Sequence, residues 1–179
     1  MSEHIKEYPG TYVRERAFSD GSVLQTWWYP KADYAWDEGV AIGRFLAGLK
    51  EGKILGITCP ECGRVLVPPR MVCEHCFVPT SNWVELPGTG YVKTFSIVTV
   101  RWDMERLETP LIPAVIALDG AEAPVGGGGG IMHLLGEIEP KPEVVHIGLR
   151  VEPVWLPARK RTGAITDIQY FRPIKEGSR

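Results

Sequence analysis

Two CxxC pairs constrain this sequence more than any other feature. The pairs are Cys59-Pro-Glu-Cys62 and Cys73-Glu-His-Cys76, with ten residues between them, and the chain has no other cysteine. Four thiolates in two close pairs are the ligand set of a closed tetrahedral zinc site. Such a site leaves no coordination position for a substrate or an activated water. We therefore expect a small zinc ribbon whose Zn²⁺ holds the fold together and does not catalyse.

Two disulfides, or buried free thiols, are the alternative interpretation of these cysteines. Disulfides belong mainly to oxidising compartments. The N-terminus is polar and lacks the apolar core of a signal peptide. No apolar stretch approaches the roughly 20 residues that cross a bilayer. These features favour a cytoplasmic protein with metal-bound cysteines and no membrane partner.

The charge balance bears on the class of partner. The formal net charge is −2 and the pI is about 6.1. A general nucleic-acid binder normally carries a basic excess or a basic stripe. The balance therefore argues against a nucleic-acid partner.

Aromatic residues are concentrated at the beginning of the chain. Eight of the seventeen fall within the first 36 residues, among them Trp27, Trp28, Tyr29 and Trp36. An isolated arm cannot bury these rings against itself, and a large apolar patch in water is unfavourable. The arm therefore packs either on its own domain or on another protein. The second interpretation makes these four residues candidate partner contacts.

A helix is predicted from Asp37 to Lys50. Asp37 can cap its start, and Gly52 lies where a helix is expected to stop. Four apolar residues repeat at the spacing of a single helical face. They are Ile42, Phe45, Leu46 and Leu49. Because two glycines weaken the helix in isolation, we expect it to dock on a surface, with Phe45, Leu46 and Leu49 as candidate partner contacts.

The second half of the chain predicts strands and little helix. Turn-forming residues separate five runs that are rich in apolar and β-branched side chains. Five strands in about 90 residues favour a small closed barrel of the OB type, although a β-sandwich is an alternative. The runs are Tyr91–Val100, Leu111–Leu118, Ile131–Ile138, Leu149–Leu156 and Ile165–Phe171. The fold class is thus mainly β, with an arm and helix over 1–56, a zinc ribbon over 57–83 and an OB-fold domain over 84–179.

The order of these parts resembles that of a known family, the acyl-CoA-associated OB-fold proteins, in which a docking helix and a rubredoxin-like zinc ribbon precede an OB fold. The resemblance extends from about Phe45 to Pro173, and its strongest element is the cysteine pattern. The long aromatic arm and the glycine run Gly126–Gly130 depart from the family pattern. The matching stretches are Phe45–Lys53, Cys59–Arg64, Pro68–Cys76, Trp83–Gly90, Ile147–Val151 and Phe171–Pro173.

The resemblance implies an accessory subunit that forms a hetero-oligomer with a thiolase or a thiolase-like aldolase. It also implies an acyl-CoA substrate at a site shared with the partner, an aromatic acyl-CoA being one candidate. In that setting the basic run Arg159-Lys160-Arg161 can attract the phosphates of coenzyme A. The alternative is that this run forms a solvated hairpin tip.

The sequence offers little chemistry of its own. A thiolase needs a nucleophilic cysteine, and all four cysteines here are assigned to the metal. His133 and His146 are candidate general bases without an evident orienting partner, and His75 is expected to face solvent or to donate to a cysteine ligand. For the glycine run, a flexible loop is favoured over a phosphate cradle. The run lacks the setting of a dinucleotide site.

Three functions are therefore compared. The first is a non-catalytic zinc-binding subunit that helps to shape the acyl-CoA site of a thiolase-type enzyme. The second is a module that binds single-stranded nucleic acid, since zinc ribbons and OB folds both serve that role. The third is an independent acyl-CoA binder or hydrolase that uses His133. The cysteine pattern, the charge and the resemblance together favour the first.

Overall fold

The computed structural model describes residues 13–26, 34–121 and 129–174. The chain divides into two compact units, Met1–Trp36 and Asp37–Arg179. In the first unit, helix α1 (Arg16–Ser19) is a single turn without buried residues. Tyr34 and Trp36 are 76% and 82% exposed, and their ring centroids lie 6.2 Å apart. Three of the predicted partner contacts, Trp27, Trp28 and Tyr29, lie outside the described residues.

Helix α2 (Gly39–Glu51) opens the second unit, close to its predicted bounds. A carboxylate oxygen of Asp37 accepts a hydrogen bond from the Gly39 amide at 2.8 Å, immediately before the first turn. At the other end, Gly52 adopts a left-handed conformation with φ 81° and donates to the Leu49 carbonyl at 2.9 Å. A left-handed residue is a common C-terminal stop, and glycine adopts it without steric cost.

The apolar face of α2 docks on this chain. Phe45 and Leu49 are 2% and 0% exposed and belong to the main hydrophobic core, and Leu46 packs against it. The prediction that Phe45 and Leu49 contact a partner is therefore corrected, because their side chains are already covered by the chain's own core. Docking itself was expected for a helix weakened by internal glycines.

Three short strands form the sheet of the ribbon. They are β1 (Ile54–Thr58), β2 (Val65–Leu66) and β3 (Trp83–Leu86), in the order β2-β1-β3 with antiparallel pairing. β1 runs directly into Cys59, and β2 follows the first CxxC pair. The sheet thus holds the two ends of the first metal-ligand loop.

The remaining strands build a barrel with a projecting hairpin. Five of them form one sheet in the order β10-β9-β4-β7-β8. A parallel bridge between Leu135 and Phe171, with a 2.9 Å bond from the Gly136 amide to the Phe171 carbonyl, closes β8 onto β10. This closure and strand order are those of an OB fold, which confirms the predicted fold class. The strands are β4 (Gly90–Phe95), β5 (Val98–Val100), β6 (Arg106–Leu111), β7 (Pro113–Leu118), β8 (Gly130–Leu134), β9 (Arg150–Trp155) and β10 (Ile168–Pro173).

One predicted strand is divided. The run Tyr91–Val100 forms β4, which ends at Phe95, and β5, which begins at Val98. β5 leaves the barrel and pairs with β6, a strand that was not predicted. Because β6 is mostly exposed on both faces, its sequence lacks the apolar alternation that marks a half-buried strand.

Ribbon and barrel share one hydrophobic core. Ile54, Val67 and Leu86 come from the ribbon half, and they belong to the same cluster as Val92 and Phe171 of the barrel. The predicted boundaries at 57 and 84 divide this chain by sequence motif, whereas the core is continuous across both. Among the described residues, none of the helices is both long and apolar enough to cross a bilayer.

The end of the glycine run adds a direct contact between the two halves. Gly130 begins β8, and its amide donates to the Val67 carbonyl of the ribbon at 3.1 Å. A Cβ atom at Gly129 would lie 3.0 Å from the Val65 carbonyl oxygen. A side chain at Gly129 would therefore push the barrel and ribbon backbones apart by a few tenths of an ångström, whereas a Cβ atom at Gly130 would lie 2.5 Å from the Ile116 carbonyl oxygen of the neighbouring barrel strand.

Candidate metal centre

Each CxxC pair lies on a tight turn of its own. In the first, the Cys59 amide donates to the Arg64 carbonyl at 2.9 Å, and the Gly63 amide donates back to the Cys59 carbonyl at 3.0 Å. Gly63 has a φ of 69°, in the left-handed region where glycine is favoured. These bonds turn the chain so that both thiols of the pair face the same side.

The second turn repeats the first with a different residue. The Cys73 amide donates to the Val78 carbonyl at 2.9 Å, and the Phe77 amide donates to the Cys73 carbonyl at 2.9 Å. Phe77 occupies the place of Gly63 and has a φ of 57°. For a residue with a Cβ this conformation costs about 1–2 kcal/mol. Such strain persists only where surrounding interactions fix the backbone.

The four thiols converge. The sulfur atoms of Cys59, Cys62, Cys73 and Cys76 all lie within 4.8 Å of one another, and the Cys62 and Cys73 sulfurs are 3.9 Å apart. A tetrahedral site with Zn–S bonds of about 2.3 Å has sulfur–sulfur distances of about 3.8 Å. The cysteines are free thiols, two of them buried. Their arrangement therefore fits one zinc ion with four protein ligands.

The electrostatics of the cluster favour a bound cation. Desolvation, followed by the neighbouring sulfurs of Cys62 and Cys59, raises the pKa of Cys76 to about 12. Thiols packed this closely resist ionisation, because each new negative charge repels the next. A divalent cation removes that repulsion and binds the thiolates while their protons are released.

The surroundings of the cluster are apolar on one side and charged on the other. Ile57 and Leu66 pack against Cys59 and Cys73, with Trp83 beside them. Arg44 of α2 lies 4.6 Å above the Trp83 ring, a cation–π contact that joins the helix to the ribbon. On the charged side, two arginines reach the Glu74 carboxylate between the second pair of cysteines, at 3.0 Å from Arg64 and 3.6 Å from Arg70.

Three histidines lie within the described residues, and each has a ring nitrogen close to another group of the chain. His75 is exposed, with its Nδ1 3.7 Å from the Cys76 sulfur. His133 Nδ1 accepts from the Leu134 amide at 2.9 Å, and its Nε2 lies 3.3 Å from the Ile165 carbonyl. Both ring nitrogens of His133 are thus engaged by backbone groups, which makes it a structural histidine. His146 is exposed, with Nδ1 3.3 Å from the Val144 carbonyl.

The basic run is divided by the fold. Arg159 and Lys160 are exposed on a 3₁₀ turn (Ala158–Lys160). Arg161 instead turns inward: its Nε donates to the Leu156 carbonyl at 2.7 Å, and its guanidinium lies 5.2 Å from the centre of the Trp155 ring. It also closely approaches Gly52 at the end of α2. The run therefore does not act as a unit, because the Arg161 guanidinium is bound within the chain whereas Arg159 and Lys160 are exposed.

A buried carboxylate organises the same loop. Asp167 is 1% exposed and accepts hydrogen bonds from the amides of Thr162 at 2.9 Å, Gly163 at 2.7 Å and Ala164 at 3.3 Å. Burial alone would raise the pKa of Asp167, but these three amides and the nearby Arg161 outweigh it and lower the pKa. Sequence reasoning missed this residue. The only indication in the sequence was an aspartate four residues after Gly163, a pattern in which the carboxylate can accept from the amides of a preceding turn.

Comparison with known proteins places these features in one family. One family model, described as the ChsH2 rubredoxin-like zinc ribbon domain, matches residues 46–81, and a second, the ChsH2 C-terminal OB-fold domain, matches residues 83–156. A DUF35 domain-containing scaffold protein from Methanocaldococcus jannaschii is 32% identical over 127 residues, which are 68% of this chain and 82% of that protein. This chain belongs to the DUF35 family. Its cysteine cluster lies within the part matched by the zinc-ribbon model.

Two solved structures extend the comparison. A DUF35-family protein of unknown function from Sulfolobus solfataricus is 32% identical, covers 65% of this chain and 78% of its own, and superposes with a TM-score of 0.52. A structure described as an Ltp2–ChsH2(DUF35) aldolase is similar with a TM-score of 0.53, over 79% of this chain and 98% of that one. At a sequence identity of 22%, this structural similarity shows a common fold and nothing more specific. Both agree with a DUF35 architecture of ribbon followed by OB barrel.

Proposed function

We propose that this DUF35-family protein is a non-catalytic, zinc-binding accessory subunit of a thiolase-type acyl-CoA enzyme. The observation that carries the proposal is the closed cluster of Cys59, Cys62, Cys73 and Cys76, which includes every cysteine of the chain. Four protein ligands complete a structural Zn²⁺ site and leave neither an open metal position nor a thiol for nucleophilic catalysis. The catalytic residues then belong to the partner.

The relatives support a role in assembly. The M. jannaschii protein is described as a scaffold, and the structure with 22% identity is an aldolase that contains a ChsH2(DUF35) chain. For the present chain we propose a hetero-oligomer with a thiolase or a thiolase-like aldolase. Trp36, which is 82% exposed, is one proposed contact, and Trp27, Trp28 and Tyr29 remain predicted contacts.

A shared acyl-CoA site is the finer part of the proposal. Arg159 and Lys160 are exposed and carry two positive charges on one short turn, which suits the phosphates of coenzyme A. Arg161 is left out of this contact, because its guanidinium is bound within the chain. We propose that the partner supplies the acyl pocket and that this subunit supports the nucleotide end.

The test is reconstitution with a purified thiolase-type enzyme from the same organism. We expect the two purified chains to elute together in gel filtration and the acyl-CoA activity of the enzyme to rise when this subunit is added. A chain that stays separate and leaves the activity unchanged would overturn the proposal. A fluorescent single-stranded oligonucleotide serves as the comparison ligand, and salt-dependent binding to it would favour the nucleic-acid module instead.

A further inference from the structure

The β5–β6 hairpin is poorly covered by the rest of the described chain. Its strands form a separate two-stranded sheet, with Val98 opposite Leu111 and Val100 opposite Arg106. Its substantial packing is between its own two strands. An isolated two-stranded hairpin is only marginally stable in water, and a third strand or a packing surface is normally needed. A hairpin that projects in this way gains stability when another surface covers it.

Two large apolar side chains occupy the tip. Trp102 is 92% exposed and Met104 is 81% exposed, and Met104 has a φ of 69°. A left-handed backbone is uncommon for a residue with a Cβ and is found most often where a turn or a function requires it. Here it accompanies a methionine directed to solvent two positions after an exposed tryptophan. Large apolar side chains that are exposed near one another are a feature of protein-interaction surfaces.

The tip is held in one conformation by its own polar groups. The Arg101 amide donates to the Glu105 carbonyl at 2.8 Å, and the Met104 amide donates to the Arg101 carbonyl at 3.1 Å. The carboxylate of Asp103 accepts from the Glu105 amide at 3.2 Å. The two apolar side chains are thus presented by a preorganised turn, and preorganisation reduces the entropy lost on binding.

The charges at the tip select the chemistry of the partner. The Arg101 guanidinium forms ion pairs with Asp103 at 4.0 Å and Glu105 at 3.8 Å. With Arg106, which is also exposed, residues 101–106 carry two positive and two negative side chains, so the tip has no net charge with which to attract a polyanion. What remains for recognition is the apolar pair of Trp102 and Met104, which complements an apolar pocket on a protein.

The apolar surface continues at the base of the hairpin. An open groove of about 210 Å³ lies where β4 ends, lined by Phe95, Pro113, Val115 and Met132 among others. Met132 is 73% exposed on β8. The protruding tip and the groove at its root together offer a convex and a concave apolar contact.

We propose that the β5–β6 hairpin is a docking arm whose Trp102 inserts into an apolar pocket of the partner enzyme. This rests on the proposed accessory function and names the surface that serves it. Tryptophans at the centre of interfaces are frequent hot spots, and their truncation commonly weakens binding by roughly tenfold or more. The arm acts in binding only, so it contributes position to the complex and no catalytic group.

The test is a titration of the purified thiolase-type partner with wild-type chain and with the Trp102→Ala and Met104→Ser variants. Ile147→Ala is the matched control, because Ile147 is also apolar and exposed, at 68%, but lies in the turn before β9. We expect Trp102→Ala to weaken the complex by about tenfold or more and Met104→Ser by a smaller factor, with Ile147→Ala within about twofold of wild type. All variants should keep their zinc content and melting temperature, since each changed side chain is exposed.

The outcomes separate the two proposals. If the wild-type chain does not bind the enzyme, the accessory function fails, and the assignment of this partner to the hairpin fails with it. If wild type binds and Trp102→Ala binds equally well, the accessory function stands and the docking arm is wrong. If all three variants lose affinity equally, the effect is not specific to the hairpin, and the assignment is again overturned. A wild-type dimer that Trp102→Ala converts to a monomer would assign the hairpin to a second copy of this chain and contradict the proposal.

Discussion

Asp119 and Arg150 form a bidentate ion pair that joins the end of β7 to the beginning of β9. The two guanidinium nitrogens lie 2.7 Å and 2.5 Å from the carboxylate oxygens, and the Thr89 hydroxyl donates to the same carboxylate at 2.5 Å. β4 runs between these strands, with Gly90 paired to Leu118 on one side and to Val151 on the other. The pair therefore ties three barrel strands together at one end.

A double-mutant cycle on Asp119→Ala and Arg150→Ala should show a coupling of about 1 kcal/mol in the free energy of unfolding. The value is modest because the side chains are 26% and 49% exposed, although their bidentate geometry is favourable. Urea unfolding measures it. The exposed pair Glu139–Lys141, at 2.8 Å, is the matched control, and its cycle should give less than about 0.5 kcal/mol. Equal coupling in the two cycles would contradict the role assigned to Asp119.

Asp167→Asn should destabilise the chain by about 1–3 kcal/mol, because a single amide oxygen replaces a charged acceptor of three backbone amides. The lowered pKa of Asp167 gives the pH dependence its sign: the stabilisation is present above the unfolded pKa of about 3.9 and disappears as the pH falls through the lower folded value.

The check is urea unfolding of wild type and Asp167→Asn at pH 7 and near pH 3. The difference between the two should shrink at the lower pH, and a difference that grows would reverse the assignment. Asp20→Asn is the control, since Asp20 is a solvated carboxylate that accepts from Ser22 on the surface. Its unfolding midpoint should match that of wild type.

Removal of zinc should destabilise more than the ribbon. The chain should contain one Zn²⁺ per molecule, and a chelator should lower the melting temperature of the barrel as well, because Ile54 and Val67 belong to the common core. Cys62→Ser should lose zinc, whereas His75→Ala should retain it, because His75 lies outside the four-sulfur cluster. Metal analysis and circular dichroism measure both effects. Loss of zinc in His75→Ala would argue for a histidine ligand.

The three basic residues of the loop should separate into two classes. Arg161→Ala should lower stability by about 1–3 kcal/mol, because it removes a charged donor from the Leu156 carbonyl. Arg159→Ala combined with Lys160→Ala should leave stability unchanged and weaken the binding of coenzyme A to the assembled complex. Thermal melts and a coenzyme A titration distinguish these effects. A complex that binds coenzyme A normally after the double change would remove the basic turn from the shared site.

Leu49→Ala should cost about 2–5 kcal/mol, the range for a fully buried leucine that leaves a cavity. Val40→Ala on the same helix is the control, since Val40 is 72% exposed and should change the urea midpoint little. Both variants should still bind the partner once folded. A Leu49→Ala chain of unchanged stability with weakened partner binding would restore the original interpretation of this residue.

The sequence predicted those features whose determinants lie close together along the chain. The CxxC pairs placed the four thiols in one ribbon, and Asp37 and Gly52 marked the ends of α2 within two residues. The strand runs predicted an OB barrel because most barrel strands are buried on one face, which produces a visible apolar pattern.

The errors arose where a long-range contact decides the outcome. An apolar helical face is the same in sequence whether it meets the chain's own core or a partner, so Phe45 and Leu49 could not be assigned without the fold. Arg159 and Arg161 are the same residue type two positions apart in the sequence. In the fold, only Arg161 lies beside Trp155 and Gly52. In the turn of the first CxxC pair, Gly63 marks the left-handed position in the sequence. Phe77 occupies the equivalent position in the second turn, where no glycine indicates it.

The continuous core of ribbon and barrel limits how DUF35 proteins can be recombined. In this chain, Val67 of the ribbon and Ile116 of the barrel belong to the same core. A chimera that joins the ribbon of one relative to the barrel of another would therefore combine core side chains that do not come from the same packed core. Gly129 adds a close backbone approach across the same boundary, where an added Cβ atom would lie only 3.0 Å from the Val65 carbonyl oxygen. Engineers who wish to exchange partner specificity should therefore graft the exposed hairpin and keep the two halves from the same parent.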